Sequence, residues 1–255
     1  MTTPGAKPTT VETTEIDDER KAVFRSATMR LAYLAQDRPE LQFASKEVAR
    51  LMQAPTEQAW VALKRAARFC LGWPRIVWCF RRQPPSTYID VFTDSDHAGC
   101  IRTRRSTSSS CLVHGGHLLR TSSTTQTVIS LSSGESEFYA MVKAMSVVLG
   151  AAELAKDLGL KLLPRMRYDA TAGAGIAGRR GVGKIRHLHT PSLWIQKVVQ
   201  DRRAELKKVV GAMNVSDIGT KHLDSKRLWF LLESIGLRSR DGRSKIALRS
   251  AGAAA

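Results

Sequence analysis

The stretch Tyr88-Ile89-Asp90-Val91-Phe92-Thr93-Asp94 decides the fold class of this 255-residue chain. Its β-branched and aromatic residues predict a strand over Tyr88 to Thr93 that runs directly into the acid Asp94. Further on, Gly115-Gly116 suits the tight turn of a hairpin between the apolar runs Cys111–His114 and His117–Arg120. Thr127–Leu131 is predicted as one more strand. The region after Pro85 therefore begins as an antiparallel sheet.

Helices and strands alternate after this hairpin. A long helix is predicted from the capping-box spacing of Ser132 and Glu135, and its apolar stripe comprises Phe138, Val142, Met145 and Leu149. The later elements are a strand at Arg165–Tyr168, a glycine-rich loop at Gly173–Gly183, a helix at Ser192–Ala204, a strand at Leu206–Val210 and a last helix around Leu228–Ile235. This order predicts an α/β fold with a mixed sheet flanked by helices.

The N-terminal part has a different, helical pattern. Three helices are predicted between Lys21 and Leu71, the third starting at Thr56, and a strand at Ile76–Phe80 precedes the Pro84-Pro85 linker. The expected organisation is a disordered leader over residues 1–20, a helical segment over 21–82, the α/β domain over 83–236 and a basic, flexible tail over 237–255.

The composition narrows the range of partners. Forty Lys and Arg residues against 23 Asp and Glu residues give a formal charge of +17, which favours binding to a polyanion such as nucleic acid over a merely solubilising surface. The N-terminus carries no signal peptide, no apolar run is long enough to span a bilayer, and the four cysteines lack the spacing of a zinc or redox motif. We expect an intracellular protein without a membrane partner.

Four acids form the candidate site: Asp94, Glu137, Asp169 and Asp217. If the strands that lead into Asp94 and Asp169 are adjacent and parallel, both carboxylates emerge at the same edge of the sheet. Converging carboxylates repel one another, and Mg²⁺ or Mn²⁺, which prefer oxygen ligands, would relieve the repulsion. Two such ions can activate a water and stabilise the leaving oxygen of a phosphodiester displacement.

Each acid also has a purely structural interpretation. Asp94 is compatible with a turn, Glu137 with a favourable charge near a helix N-terminus, Asp169 with the start of a turn, and Asp217 with a helix N-cap. Taken singly, these interpretations are at least as good as the metal-binding one. Only convergence of the four acids at one place would favour metal binding over these structural interpretations.

The sequence around these acids resembles the ribonuclease H domain that ends the polyprotein of copia-type retrotransposons. Three segments carry most of the resemblance, namely FTDSDHAG at 92–99, LSSGESEFYA at 131–140 and SDIGTK at 216–221; Arg105–Ser108, Tyr168-Asp169 and Arg186-His187 follow the family's order between them. The resemblance covers residues 88–236. The helical segment before it resembles the end of the preceding reverse transcriptase, without the polymerase's catalytic region.

The resemblance implies a ribonuclease H-like, mixed five-stranded sheet and a defined chemistry. Asp94, Glu137, Asp169 and Asp217 would be the metal ligands and catalytic acids for cleavage of the RNA strand of an RNA–DNA hybrid, with two Mg²⁺ or Mn²⁺ ions. Glu137 is preferred to Glu135 because the family's glutamate precedes an aromatic or aliphatic residue. Asp94 is preferred to Asp96 because it ends the predicted strand. Reverse transcriptase or other parts of the polyprotein would be the partners.

A fifth residue and a set of basic side chains complete the expected site. By resemblance His187 would assist product release or proton handling, although a lone histidine at a helix start is more often structural. The basic residues expected to contact substrate phosphates are Arg102, Arg104, Arg105, Arg179, Arg180, Lys184, Arg202 and Arg203.

Two departures and one competing motif leave alternatives open. Ala170 and His189 stand where the family has Asn and Asp, so a catalytically diverged relic that only binds nucleic acid is the alternative function. The glycines at 173, 175 and 178 also fit GxGxxG. A dinucleotide site, however, needs a helix opening at the glycines and an acid ending a strand about 20 residues on, and neither is predicted.

Overall fold

The computed structural model of the chain describes residues 14–241. Its helices are α1 (Asp18–Leu34), α2 (Pro39–Ala49), α3 (Glu57–Gly72), α4 (Ser133–Asp157), α5 (Thr171–Gly178), α6 (Trp194–Gln200) and α7 (Ser225–Ser234). Its strands are β1 (Ile76–Trp78), β2 (Tyr88–Asp96), β3 (Thr107–His114), β4 (His117–Thr125), β5 (Leu163–Tyr168), β6 (Glu205–Lys208) and β7 (Leu237–Ser239).

Within these residues, the larger sheet has five strands in the order β4-β3-β2-β5-β6. Strand β2 pairs antiparallel with β3 and parallel with β5, and β5 in turn pairs parallel with β6. The hairpin about Gly115-Gly116 is present, and Gly115 has a φ of 60°, the left-handed conformation that favours glycine. This mixed sheet with helices packed on it is the ribonuclease H-like fold that the motifs imply.

Helix α4 covers one face of the sheet. Phe138, Met141 and Met145 are buried in one cluster with Val91 of β2 and Met166 of β5. Its length and apolar composition would also allow a bilayer crossing, but its packing on the sheet is that of a core helix. Burial of this apolar face holds α4, and therefore Glu137 in its first turns, against the sheet.

The N-terminal helical segment covers the opposite face. Phe24 of α1 and Leu63 of α3 share one hydrophobic cluster with Val113 of β3, Leu118 of β4 and Leu231 of α7. Thr56 caps α3 as expected, since its side chain accepts a hydrogen bond from the Ala59 backbone. The segment over residues 21–82 is thus packed into the same core as the sheet, and its boundary as a separate domain stays a prediction.

The ends of the described region are more ordered than expected. Asp17 caps α1 and Ile16 is buried, so the predicted leader is wrong for residues 14–20, while residues 1–13 lie outside the described residues. The predicted tail is wrong for its first three residues, because β7 pairs with β1 and buries Leu237. Residues 242–255 lie outside the described range.

The predicted strand at Thr127–Leu131 is wrong. These residues connect β4 to α4, and Ile129 is exposed. The chain turns here because the Ser130 hydroxyl donates to the buried Gln126 amide oxygen at 3.0 Å, and the Leu131 backbone donates to Glu135 at 2.9 Å. The capping serine behaves as expected, since Ser132 accepts a hydrogen bond from the Glu135 backbone. Apolar composition alone did not reveal these side-chain contacts.

The glycine-rich loop predicted at Gly173–Gly183 is wrong over its first half, which forms α5. The cause is close packing of α5 on α4: a Cβ atom at Gly173 would lie 2.8 Å from the Cβ of Glu137, and one at Gly134 would lie 2.8 Å from the Cβ of Ala172. The glycines thus lie inside a helix and not in a phosphate loop before it, and Asp201 follows α6 instead of ending a strand. A dinucleotide site finds no support in this arrangement.

Two further boundaries differ from expectation. The helix predicted at Ser192–Ala204 is a 3-10 turn over Thr190–Leu193 followed by the short α6, which ends at Gln200. Strand β6 begins one residue before the predicted Leu206 and ends at Lys208. Because α6 ends earlier than predicted, Arg202 and Arg203 lie in the turn before β6 and not on the helix.

Gly173→Ala tests the close approach of α5 to α4. We expect this variant to melt at a lower temperature than the parent, because the added methyl group also meets the Phe138 backbone nitrogen at 3.1 Å, which cannot rotate away. Gly175→Ala is the matched control: its Cβ meets nothing within 4 Å, and it should gain about 0.5–1 kcal/mol of helix propensity. Thermal melts that rank Gly173→Ala at or above Gly175→Ala would contradict this packing.

Candidate metal centre

The parallel pairing of β2 and β5 brings Asp94 and Asp169 to one edge of the sheet. Asp169 directly follows β5, whereas β2 continues past Asp94 to Asp96, so the expectation that Asp94 ends its strand is wrong. The strand is longer because Asp96 still pairs with Thr107 of β3. Asp96 instead accepts a hydrogen bond from the Thr107 backbone, so the choice of Asp94 over Asp96 rests on which carboxylate meets Asp169 and not on position at the strand end.

Asp217 reaches the same edge from a separate segment. It lies in a 3-10 turn over Val215–Gly219 that packs on β3, where a Cβ atom at Gly219 would lie within 2.3 Å of the Ser109 hydroxyl. One carboxylate oxygen from each of Asp94, Asp169 and Asp217 lies within 4.8 Å of the others. Three of the four predicted acids therefore converge closely enough to share one ion.

Glu137 borders this trio from the start of α4. Burial and the charges of Asp94 and Asp169 raise the pKa of Glu137 to about 8, while the charge of Lys221 and a hydrogen bond from the Ser95 backbone oppose the shift. Glu135 points elsewhere: its carboxylate accepts hydrogen bonds from the Leu131 backbone and from His187. Of the two glutamates, the structure thus places Glu137 within electrostatic range of the aspartates.

Two cationic side chains enter the cluster. The ammonium of Lys221 lies 2.6 Å from Oδ1 of Asp217 and 3.3 Å from Oδ2 of Asp94, and the Arg227 guanidinium lies 3.2 Å from Oδ2 of Asp217. Sequence reasoning assigned no role to either, although Lys221 stands four residues after Asp217, the spacing of a helical ion pair. Thr220 was missed as well; its hydroxyl donates to Asp94.

Neighbouring acids and cations have opposite effects on the pKa of Asp94. Burial, together with the charges of Asp217 and Asp169, raises its pKa to about 6 against the lowering effects of Lys221 and the Thr220 hydroxyl. The pKa of Lys221 is raised, because attraction to Asp94 and Asp217 outweighs the cost of burial. A shared cation lowers the energy of such a cluster, so the donor set fits a divalent ion that prefers carboxylate oxygens.

His187 lies beside this group of acids. Its Nε2 lies 3.0 Å from Oε2 of Glu135, and about half of its side chain is exposed. The residue is thereby anchored to the N-terminal turn of α4, at the glutamate two positions before Glu137. Its proposed part in product release or proton handling stays a prediction.

Six of the eight expected phosphate-binding residues lie in two connections, one after β2 and one after α5. The exposed arginines Arg102, Arg104 and Arg105 lie between β2 and β3, at the edge of the sheet that carries the aspartates, and Arg180 and Lys184 are exposed after α5. Arg179 is only half exposed and donates to the Val182 carbonyl, so it fastens its own turn.

Arg202 and Arg203 lie at the wrong end of the sheet for contact near the carboxylates. They precede β6, which runs parallel to β5, so they adjoin the beginning of these strands, whereas Asp169 follows the end of β5. The parallel register separates the two ends by the length of the strands. Both residues are exposed, so binding of substrate remote from the site stays a prediction.

No protein-family model matches the chain. It is 25% identical over 235 residues, 91% of the chain, to the retrovirus-related Pol polyprotein from transposon TNT 1-94 of Nicotiana tabacum. It is 27% identical over 203 residues, 78% of the chain, to the Pol polyprotein from transposon RE2 of Arabidopsis thaliana. The chain is a homologue of these transposon polyproteins. It spans only 17% and 14% of their lengths.

Three further similarities are to a shorter protein and to two solved structures. The chain is 34% identical over 131 residues to an uncharacterized mitochondrial protein of Arabidopsis thaliana, covering 51% of this chain and 52% of that protein. LC11-RNase H1, isolated from compost, has a TM-score of 0.36 and 15% identity, over 53% of this chain and 94% of its own. RNase H1 of Halobacterium salinarum has a TM-score of 0.33 and 15% identity, over 52% and 94%.

Glu137→Gln tests the electrostatics of the metal-free cluster. The pKa of Glu137 is raised to about 8 in the folded protein, so the folded state holds the proton more tightly than the unfolded state. This contribution to stability is complete below about pH 4.5 and is lost as the pH rises towards 8. The parent should therefore lose several degrees of melting temperature between about pH 5 and pH 8.5 that Glu137→Gln retains.

The exposed Glu153, on the same helix, supplies the control. Melts in the presence of a chelator should show that Glu153→Gln follows the parent across this range. If Glu137→Gln also follows the parent, the carboxylate of Glu137 is not held in the repulsive environment described above.

Proposed function

We propose that this chain is a metal-dependent endonuclease that hydrolyses the RNA strand of RNA–DNA hybrids as part of a retrotransposon polyprotein. Convergence of Asp94, Asp169 and Asp217 within 4.8 Å, with Glu137 beside them, supports this function most directly. The homology to transposon Pol polyproteins agrees with it. We expect the reaction to take place inside the cell.

The four acids would form the metal site of the proposed reaction. Asp94, Asp169 and Asp217 would hold a divalent ion, Mg²⁺ or Mn²⁺, which when bound lowers the pKa of the attacking water and stabilises the leaving oxygen. Glu137, which the resemblance also makes a metal ligand, would bind from the start of α4 and release the proton that its raised pKa retains near neutral pH. Lys221, Thr220 and Arg227 keep Asp94 and Asp217 oriented before substrate arrives.

Substrate would be held mainly through its phosphates. Arg102, Arg104 and Arg105 are exposed beside the aspartate edge and can donate to backbone oxygens without reading bases. A hybrid duplex also displays 2′-hydroxyls in a wide, shallow minor groove, which favours recognition of shape over sequence. Affinity should fall as salt rises, since counterions released from the phosphates contribute to binding. Other parts of the polyprotein, including reverse transcriptase, are the proposed protein partners.

Two observations favour the alternative of a diverged, non-catalytic nucleic-acid-binding domain of the same fold. Lys221 and Arg227 already neutralise part of the cluster, as would suit a site that has ceased to need a metal. Ala170, next to Asp169, likewise removes a polar group expected there. A cleavage assay separates the two functions, because both predict binding to the hybrid and only one predicts a cut RNA strand.

Asp94→Asn and Glu137→Gln are the variants for this assay. With labelled RNA–DNA hybrid and Mg²⁺, we expect the parent to cut the RNA strand and each variant to be slower by at least about 100-fold, since even outer-shell changes at metal sites often cost 10- to 100-fold. Asp157→Asn and Glu153→Gln, which alter exposed acids at the far end of α4, should cut at the parental rate.

Matched double-stranded DNA and double-stranded RNA should stay intact under the same conditions. Binding of the hybrid without cleavage by the parent would reject the nuclease and support the diverged domain. Cleavage by both site variants at the parental rate would show that the acids of this cluster do not carry the reaction.

A further inference from the structure

The ammonium of Lys221 occupies the space between two of the candidate metal ligands. It lies 2.6 Å from Oδ1 of Asp217 and 3.3 Å from Oδ2 of Asp94, and the lysine side chain is 44% exposed. These are direct ion-pair distances to oxygens on two different acids. A cation bridging Asp94 and Asp217 on that side would have to displace the ammonium or bind elsewhere in the cluster.

Further hydrogen bonds hold the side chains around Lys221 in place. Arg227 binds the other oxygen of Asp217 and also donates to the carbonyls of Gly211, at 3.0 Å, and Ala212. The neighbouring Thr220 hydroxyl donates to Asp94. Asp217, Thr220, Lys221 and Arg227 thus all come from one short segment that closes over the aspartate edge.

The formal charges suit a single divalent ion. Even if all four carboxylates, at Asp94, Glu137, Asp169 and Asp217, are ionised, they carry −4, and Lys221 with Arg227 contribute +2, which leaves at most −2. One divalent ion neutralises that remainder, whereas two would leave an excess of +2. Excess charge in a partly buried site is costly, and the chain as a whole already carries +17.

We propose that Lys221 takes the place of one of the two divalent cations, so that the protein binds a single divalent ion at Asp94, Asp169 and Asp217. This inference rests on the metal-dependent function proposed above and corrects its expected number of ions. An ammonium carries three protons, one more than the two acids accept, and as a compact charge it can also donate to a substrate phosphate. Lys221 would then be a catalytic residue that contacts substrate.

Calorimetric titration of the whole chain with Mn²⁺, without nucleic acid, tests the inference. We expect the parent to bind one ion per chain and Lys221→Met to bind two, the first at least about tenfold more tightly than in the parent. Lys226→Met removes a positive charge from an exposed position on α7 and should bind one ion, like the parent. Lys221→Arg retains the charge and should also bind one.

Two ions bound to the parent would overturn the inference even if Lys221→Met fails to fold. Equal stoichiometry and equal affinity in the parent and a folded Lys221→Met would overturn it as well. The hybrid-cleavage assay distinguishes the two proposals. If the parent binds two ions and cuts RNA, the proposed function stands and the proposed role of Lys221 is rejected. A parent that binds one ion and does not cut supports the role of Lys221 and rejects the nuclease. Absence of any Mn²⁺ binding rejects both.

Discussion

The parallel pairing of β2 with β5 is the constraint on which the site depends. Its register aligns Val91 with Met166 and Phe92 with Arg167, and two residues further along each chain stand Asp94 and Asp169. Antiparallel pairing would have sent the two acids to opposite ends of the sheet. The pairing also creates the apolar surface on which α4 buries Phe138, and the adjacent Glu137 is thereby carried to the same edge.

The rest of the site is assembled around this edge by close packing. Gly173 lets α5 approach Glu137, and Gly219 lets the turn that carries Asp217 settle on β3, because a side chain at either position would collide with its neighbour. The segment from Asp217 to Arg227 then contributes an acid and two cations together. Repulsion among carboxylates is offset within the chain by these cations, which is why the number of divalent ions follows from the charge of this segment.

Much of this architecture was predictable from local patterns. Strand β2, the hairpin at Gly115-Gly116 and the serine cap of α4 depend on residue types within a few positions, and all three are present. The nearness of Asp94 and Asp169 followed once the two strands were assumed to be adjacent and parallel, and that assumption is correct. The resemblance to transposon polyproteins gave the choice of Glu137 over Glu135, which spacing alone could not give.

The features that sequence reasoning missed depend on contacts distant along the chain. Glycine predicted a loop at Gly173, but packing on α4 outweighs its poor helix propensity. The buried Gln126 donates to Ser108 and to the Ser136 carbonyl, and this tertiary network replaces the expected strand before α4. The position of Lys221 between two acids depends on the meeting of Asp94 with Asp217, 123 positions apart in the chain.

Anomalous diffraction from crystals grown with Mn²⁺ tests whether the three aspartates share an ion, since it locates an ion without reference to activity. The account predicts one anomalous peak within coordinating distance of carboxylate oxygens from Asp94, Asp169 and Asp217, with the ammonium of Lys221 still paired to the cluster. A well-ordered site without a peak under saturating Mn²⁺, or a peak held by other residues, would contradict the claim that these three acids share a metal ion.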